Sequence, residues 1–202
     1  MLRLIDDLLD VASIEAGRLA IERGAHDAGP ILHETLASFG SIAKEKRLRM
    51  TAEVQPNLPK ANCDRDRILQ VLSNLVGNAT KVTAEGGQVT LRVEAREHAL
   101  LFSVADDGPG IGDEDLKHLF ERYWRSHDAG YKGTGLGLAI ARGIVDAPRR
   151  PDLAGEHPGM WRHVLVHDPH RRGRSRADPC GKRERDTTPR LMFSQAPVAD
   201  AP

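Results

Sequence analysis

Apolar residues recur along this chain with two periods, one helical and one extended. Over residues 1–16, Ile5, Leu8, Leu9, Ala12 and Ala16 share a helical face, and Gly17 ends the run. Leu19-Ala20-Ile21-Glu22 predicts a short strand. After Gly29-Pro30, apolar positions at Ile31, Leu32, Leu36 and Ile42 predict a helix from Ile31 to Lys46. Leu48 to Val54 alternates as a strand, and residues 64–82 return to the helical period with Ile68, Val71, Leu72, Leu75 and Ala79 inward. Gly86-Gly87 leads into a half-buried strand at Val89, Leu91 and Val93, paired with 99–105 as a hairpin. A short helix over Asp113 to Phe120, an irregular polar stretch at 125–134 and a helix from Leu136 to Val145 follow. Helices and strands in this order predict an α/β two-layer sandwich.

Composition narrows the class. The chain has 202 residues, 40% hydrophobic and 29% charged, with a formal net charge of +0, as expected for one full domain plus attachments. No apolar run is long enough to cross a membrane, and Asp6 and Asp7 stand where a signal peptide would be apolar. Cys63 and Cys180 are isolated, which suggests neither a disulfide framework nor a zinc site. Neutral charge gives no reason to expect nucleic acid as a partner.

Three stretches carry candidate chemistry. In Lys132-Gly133-Thr134-Gly135-Leu136-Gly137-Leu138-Ala139-Ile140, glycines at alternate positions run into a helix. Such a turn brings backbone N–H groups close to an anion, and the helix adds its positive end. Asp106-Asp107-Gly108-Pro109-Gly110-Ile111 follows the strand Ala99 to Val104. A carboxylate at a strand end can accept a hydrogen bond from a flat base while the glycines leave room for the ring, although an ordinary solvated Asp-Gly turn has the same composition. In Gln70 to Lys81, the residues Asn74, Asn78 and Lys81 lie at i, i+4 and i+7 on one helix face. Asparagine oxygens suit Mg²⁺, and lysine supplies a point charge to phosphates. The plainer reading is an amphipathic helix with polar residues in water.

Together, in this order, the three stretches resemble the N, G1 and G2 boxes of the ATP-binding domain of sensor histidine kinases. That domain has the GHKL, or Bergerat, fold shared with gyrase and Hsp90. Leu119-Phe120-Glu121-Arg122-Tyr123-Trp124-Arg125 looks like the F box that precedes the mobile ATP lid, while Leu4 to Asp10 and Ile14 to Leu19 resemble the close of the dimerisation helix pair. The resemblance covers residues 1–147.

The resemblance implies ATP and Mg²⁺ as cofactors. Asp106 would bind the adenine amino group, with Gly108 and Gly110 making space. Asn78 would coordinate Mg²⁺, assisted by Asn74, and Lys81 would contact phosphate. Lys132, Gly133, Thr134, Gly135, Leu136, Gly137 and Leu138 would cap the triphosphate, and 125–134 would close over the nucleotide as a lid. The implied reaction moves the γ-phosphoryl group of ATP to a histidine and then to a response-regulator aspartate, in two-component signalling.

The sequence departs from the family twice. The family's phosphoacceptor lies in a His-Glu-x-x-x-Pro setting on the first dimerisation helix. The nearest imitation, His33-Glu34, has Ser38 in the proline position and falls in the helix that opens the ATP-binding domain. The phosphoacceptor is therefore expected to be absent here and supplied in trans. At the other end, family members continue past Ala147 with His-Gly-Gly and two last strands, whereas this chain continues as Pro148-Arg149-Arg150-Pro151 and a basic, proline-rich tail. Read one base later, Met160-Trp161 (ATG TGG) forces Cys-Gly, and His163 to His167 permits Thr-Phe-Ser-Phe-Thr, as in the family ending. A frameshift after Ala147 is thus expected, with the last strands missing and 148–202 disordered.

The expected organisation is a helix-pair remnant at 1–17, an incomplete ATP-binding domain at 18–147 and an aberrant tail at 148–202. The expected function is the catalytic, ATP-binding part of a sensor histidine kinase. The implied partners are ATP, a phosphoacceptor domain in trans, a response regulator and a second copy paired through the N-terminal helix. The alternative is a non-catalytic nucleotide-binding or helix-pairing module, an inactive kinase remnant. The implied location is cytoplasmic, in a family whose members are commonly anchored in the membrane.

Overall fold

The computed structural model describes residues 2–96, 99–111, 113–124, 133–147 and 163–167. Helices α1 (Leu2–Glu15), α2 (Ala28–Ser38), α3 (Gly40–Glu45), α4 (Arg65–Val82), α5 (Asp113–His118) and α6 (Gly137–Val145) combine with strands β1 (Gly24–His26), β2 (Arg49–Val54), β3 (Ala61–Cys63), β4 (Gln88–Arg96), β5 (Ala99–Asp106) and β6 (His163–His167). The main sheet has the order β2-β4-β5-β6, with β2 parallel to β4, β4 antiparallel to β5 and β5 parallel to β6. Its inward positions, Val89, Leu91, Val93, Leu100, Phe102 and Val104, are buried. They share one core with Ile31 and Leu32 of α2, Ile68, Val71, Leu72, Leu75 and Val76 of α4, and Ile140, Ala141 and Ile144 of α6. This is the expected α/β two-layer arrangement, helices over a mixed sheet.

Helix α4 forms because one face is continuously apolar and both ends are tied down. Asp64 caps its start, accepting the Arg67 N–H at 3.1 Å, and also accepts the Glu22 N–H at 2.8 Å. Near its end, the Lys46 Nζ donates to the Thr80 carbonyl at 2.7 Å.

Several expected elements shift. Leu19–Glu22 is not a strand; Gly24–His26 pairs instead with Ala61–Cys63 as a small antiparallel sheet. The predicted helix from Ile31 to Lys46 starts at Ala28 and breaks at Phe39, whose φ of −101° and ψ of 4° leave the helical range. On α1, Val11 is buried and Ile14 reaches Gly143 of α6, where a β-carbon would lie 2.6 Å from the Ile14 Cγ2. Ile5, Leu8 and Leu9, of the apolar face read from the sequence, stay exposed.

The largest difference is at the sheet edge. Val164 pairs with Phe102 and Val166 with Val104, so β6 covers the β5 edge that was expected to be open. One of the two last strands expected to be missing is therefore matched by β6, and residues 163–167 depart from the expectation that all of 148–202 is disordered. An uncovered strand offers a row of N–H and C=O groups, and His163-Val164-Leu165-Val166-His167 has the β-branched, apolar composition that accepts them. The rest of the tail lies outside the described residues.

Candidate functional site

The polar face of α4 is the floor of the site. Asn74 and Asn78 are half-buried and Lys81 is exposed, beside the fully apolar face that holds the helix in the core. The end of β5 reaches this helix at its C-terminal turn. Gly108 packs so closely there that a β-carbon on it would lie 2.7 Å from the Asp106 Oδ1 and 2.9 Å from the Val82 Cγ2. The Gly108 N–H donates to the Asp106 Oδ1 at 3.0 Å, which fixes that carboxylate beside Val82. Gly110, with φ of 78°, carries the chain away from the site.

The glycine turn lies along the same face, running against the helix direction. A β-carbon at Gly133 would lie 3.4 Å from the Lys81 Nζ, and one at Gly137 would lie 3.3 Å from the Asn74 Oδ1. Between them, Gly135 takes φ of 70°, a left-handed conformation that favours glycine. The structure therefore brings all three sequence signals to one place, with Asn78 on the face spanned by the turn. Thr134 Oγ1 accepts the Leu136 N–H at 3.3 Å. Leu136 is fully buried and Leu138 packs partly against the core, so their side chains anchor the turn and only their backbone can meet a ligand. Lys132, and positions 125–132 of the expected lid, lie outside the described residues.

Two buried side-chain atoms have no hydrogen-bond partner among the described residues: the Asn74 Nδ2 and the Asp107 Oδ1. Such atoms are costly unless something outside the chain satisfies them. Asn74, facing the mouth of the glycine turn, is thus suited to a polar ligand. No group of three or more His, Cys, Asp or Glu side chains stands together among the described residues to hold a metal. A cation here would depend on amide oxygens and on ligand oxygens, which fits Mg²⁺ shared with phosphates and does not fit a protein-caged ion. His33 is exposed on α2, with its Nδ1 2.8 Å from the Gly29 carbonyl oxygen of its own helix.

One part of the site leaves little trace in the sequence. Tyr123 has φ of 61°, and its N–H donates to the Gly135 carbonyl at 3.0 Å. Nearby, the Arg142 guanidinium of α6 stands over the Phe120 ring at 5.6 Å, and Arg122 pairs with Glu15 of α1. The segment before the expected lid is therefore fastened to the turn, to α6 and to α1.

Residues 63–170 match the family described as histidine kinase-, DNA gyrase B- and HSP90-like ATPase. The chain is 35% identical over 145 residues to the aerobic respiration control sensor protein ArcB homolog of Haemophilus influenzae, covering 70% of this chain and 44% of that one. Among solved structures it resembles full-length ShkA in complex with AMPPNP (TM-score 0.64, 32% identity, 72% of this chain and 30% of that one). It also resembles the histidine kinase ThkA in complex with the response regulator protein TrrA (TM-score 0.54, 25% identity, 71% and 41%). The chain spans less than half the length of these three relatives. With the sequence boxes gathered beside one helix face and the sheet order in place, the chain belongs to the histidine kinase-, DNA gyrase B- and HSP90-like ATPase family.

Proposed function

We propose that this chain binds MgATP and delivers the γ-phosphoryl group to a histidine supplied by another domain, for onward transfer to a response regulator. The observation that carries the reading is the antiparallel lie of the glycine turn along Asn74, Asn78 and Lys81, with Asp106 held at the end of the same helix. Phosphoryl transfer needs chiefly positioning and charge neutralisation, which such a cradle can supply. Asp106 would accept the adenine amino group, and Gly108 keeps the carboxylate in place. Asn78, with Asn74, would hold Mg²⁺, which neutralises charge between phosphates, and Lys81 would add a point charge. The turn Gly133–Gly137 would direct backbone N–H groups at the phosphates. Lys132 is assigned to the same role on the sequence alone.

The relatives' names favour the same reading. ShkA is in complex with AMPPNP, an ATP analogue, and ThkA is in complex with a response regulator. The ATP-binding domain is taken as 18–147, with 1–17 as the end of a helix pair and 148–202 as a tail from which β6 returns to the sheet. Leu4, Ile5, Leu8 and Leu9 are exposed on α1 and would pair with a second copy's helix. No helix among the described residues is long and apolar enough to cross a membrane; a cytoplasmic location, in an anchored or free parent protein, belongs to the same proposal.

The test is calorimetric titration of the purified chain with MgATP, beside Asn78→Ala. Saturable binding that the variant weakens by about tenfold or more supports the reading. No binding by a folded preparation refutes it. A phosphoacceptor helix pair added in trans then tests transfer.

A further inference from the structure

Tyr123 combines features that its exposed side chain does not explain. The residue is aromatic, yet its φ of 61° lies in the left-handed region that bulky residues avoid. The residue is 60% exposed, so packing of its ring does not impose that conformation. What the conformation achieves is on the backbone. The Tyr123 N–H turns onto the Gly135 carbonyl at 3.0 Å. From the other side, a β-carbon on Gly135 would lie 2.8 Å from both the Tyr123 Cα and its carbonyl carbon, and 3.0 Å from the Trp124 oxygen. Two left-handed residues, 123 and 135, are thus pressed backbone to backbone, at the middle of the turn that runs from Lys81 to Asn74. Strain of this kind persists only where the surroundings hold it. The holders are visible: Phe120 lies under Arg142, Arg122 pairs with Glu15, and Trp124 stacks on His118 with centroids 6.2 Å apart.

We propose that Tyr123 is a positioning residue for the nucleotide, acting through its backbone N–H on Gly135 to set the curvature of the phosphate-facing turn. This inference rests on the MgATP reading of the site. The carbonyl of Gly135 is engaged by the Tyr123 N–H and so is not offered to an anion, whereas the N–H groups of the turn other than that of Leu136, which donates to Thr134 Oγ1, can be. Without the clamp, the Gly135 peptide can rotate and present its oxygen to the phosphates, a repulsive arrangement. The tyrosine ring itself has no part in this.

The experiment separates donor, side chain and strain. Replacing the 123 amide by an ester, with the α-hydroxy acid of tyrosine installed by nonsense suppression, deletes the donor alone. Tyr123→Gly keeps the donor and removes both ring and strain. Calorimetry is expected to give MgATP binding weakened about fivefold or more in the ester and within about twofold of the parent in Tyr123→Gly. Gly135→Ala, which drives a β-carbon into the Tyr123 backbone, is expected to weaken binding about tenfold or more. An ester that binds as tightly as the parent overturns the proposal. So does a Tyr123→Gly variant that loses as much as the ester, since the ring would then be the contact. Amide exchange at Tyr123, measured without nucleotide, is expected to be slow in the parent and fast in Gly135→Ala; an unprotected amide in the parent refutes the clamp by itself. A parent chain with a protected Tyr123 amide and no MgATP binding refutes the nucleotide reading, and the positioning role with it, while the clamp stands.

Discussion

The sharpest perturbation of the proposed base pocket is Gly108→Ala. Gly108 is buried and is not among the left-handed glycines, so alanine meets no backbone penalty there. Its β-carbon would fall 2.7 Å from the Asp106 Oδ1, about 0.7 Å inside the 3.4 Å where ordinary contact begins. It would also fall 2.9 Å from the Val82 Cγ2, which belongs to α4 and gives little. The carboxylate is therefore the part that moves. A displacement of about 0.7 Å lengthens the 3.0 Å bond from the Gly108 N–H beyond useful range. A hydrogen bond to a charged group contributes about 1.5–3 kcal/mol, and misplacing its acceptor forfeits a similar amount toward a base amino group. MgATP affinity should fall about 10- to 100-fold. Overpacking should also lower stability by about 1–3 kcal/mol, read from chemical denaturation. The deciding control is magnesium tripolyphosphate, which has no base. Its binding should change by less than about twofold, because the glycine turn and α4 polar face are untouched. Equal weakening of both ligands would mean that the domain as a whole is distorted. No weakening of either would mean that Asp106 does not read the base. Asp106→Asn should reproduce the ligand pattern without the crowding.

Three further outcomes follow from the same geometry. Asp64→Ala removes the α4 cap and the acceptor of the Glu22 N–H, and should cost about 1–2 kcal/mol in urea denaturation; no change would mean that neither bond matters in solution. Burial, with the nearby Asp64 charge second, raises the Cys63 thiol from 9.0 to about 11. Between those values the unfolded chain loses its proton first, so stability should fall as pH rises from 9 to 11, by about 2–3 kcal/mol at most, and Cys63→Ala should lack this component of the slope. A chain ending at Ala147 loses β6 and uncovers β5, so it should unfold at lower urea and bind MgATP more weakly; a compact, ATP-protected proteolytic product ending near 147 would contradict this.

The sequence is readable where function depends on side chains at a helical or strand period. Asn74, Asn78 and Lys81 share a face because α4 is an uninterrupted helix, and the apolar positions opposite them leave no other register. Strands β4 and β5 are equally plain, since Val89, Leu91 and Val93 alternate. Three-residue strands have no period to detect, which is why β1 and β3 escape notice and Leu19–Glu22 imitates a strand. The break at Phe39 is hidden because apolar spacing continues across it and Gly77 makes room for its ring, 3.8 Å from where a β-carbon would be. On α1 two apolar stripes compete, and the choice of Val11 and Ile14 is settled by Gly143 of α6, far away in sequence. The Tyr123 contact with Gly135 is between backbones, so the Tyr123 side chain does not encode it.

These differences point to a division of labour in the site. The groups proposed to identify the nucleotide, Asn74, Asn78, Lys81 and Asp106, sit on or against α4. That helix is fixed at its start by Asp64, near its end by Lys46, and along its flank by Arg67, which donates to Asp10 of α1 at 2.8 Å. From Gly133 to Gly137, the groups that would enclose a phosphate belong to a turn without large polar side chains, shaped by a strained tyrosine and a left-handed glycine. A rigid floor with a backbone-built wall can place charge on the phosphates through one and adjust to them through the other. Disturbing the floor at Asp64 should therefore cost folding stability first and affinity only once α4 frays. Disturbing the wall at Gly135 should cost affinity while the core, built on α4 and the sheet, stays folded.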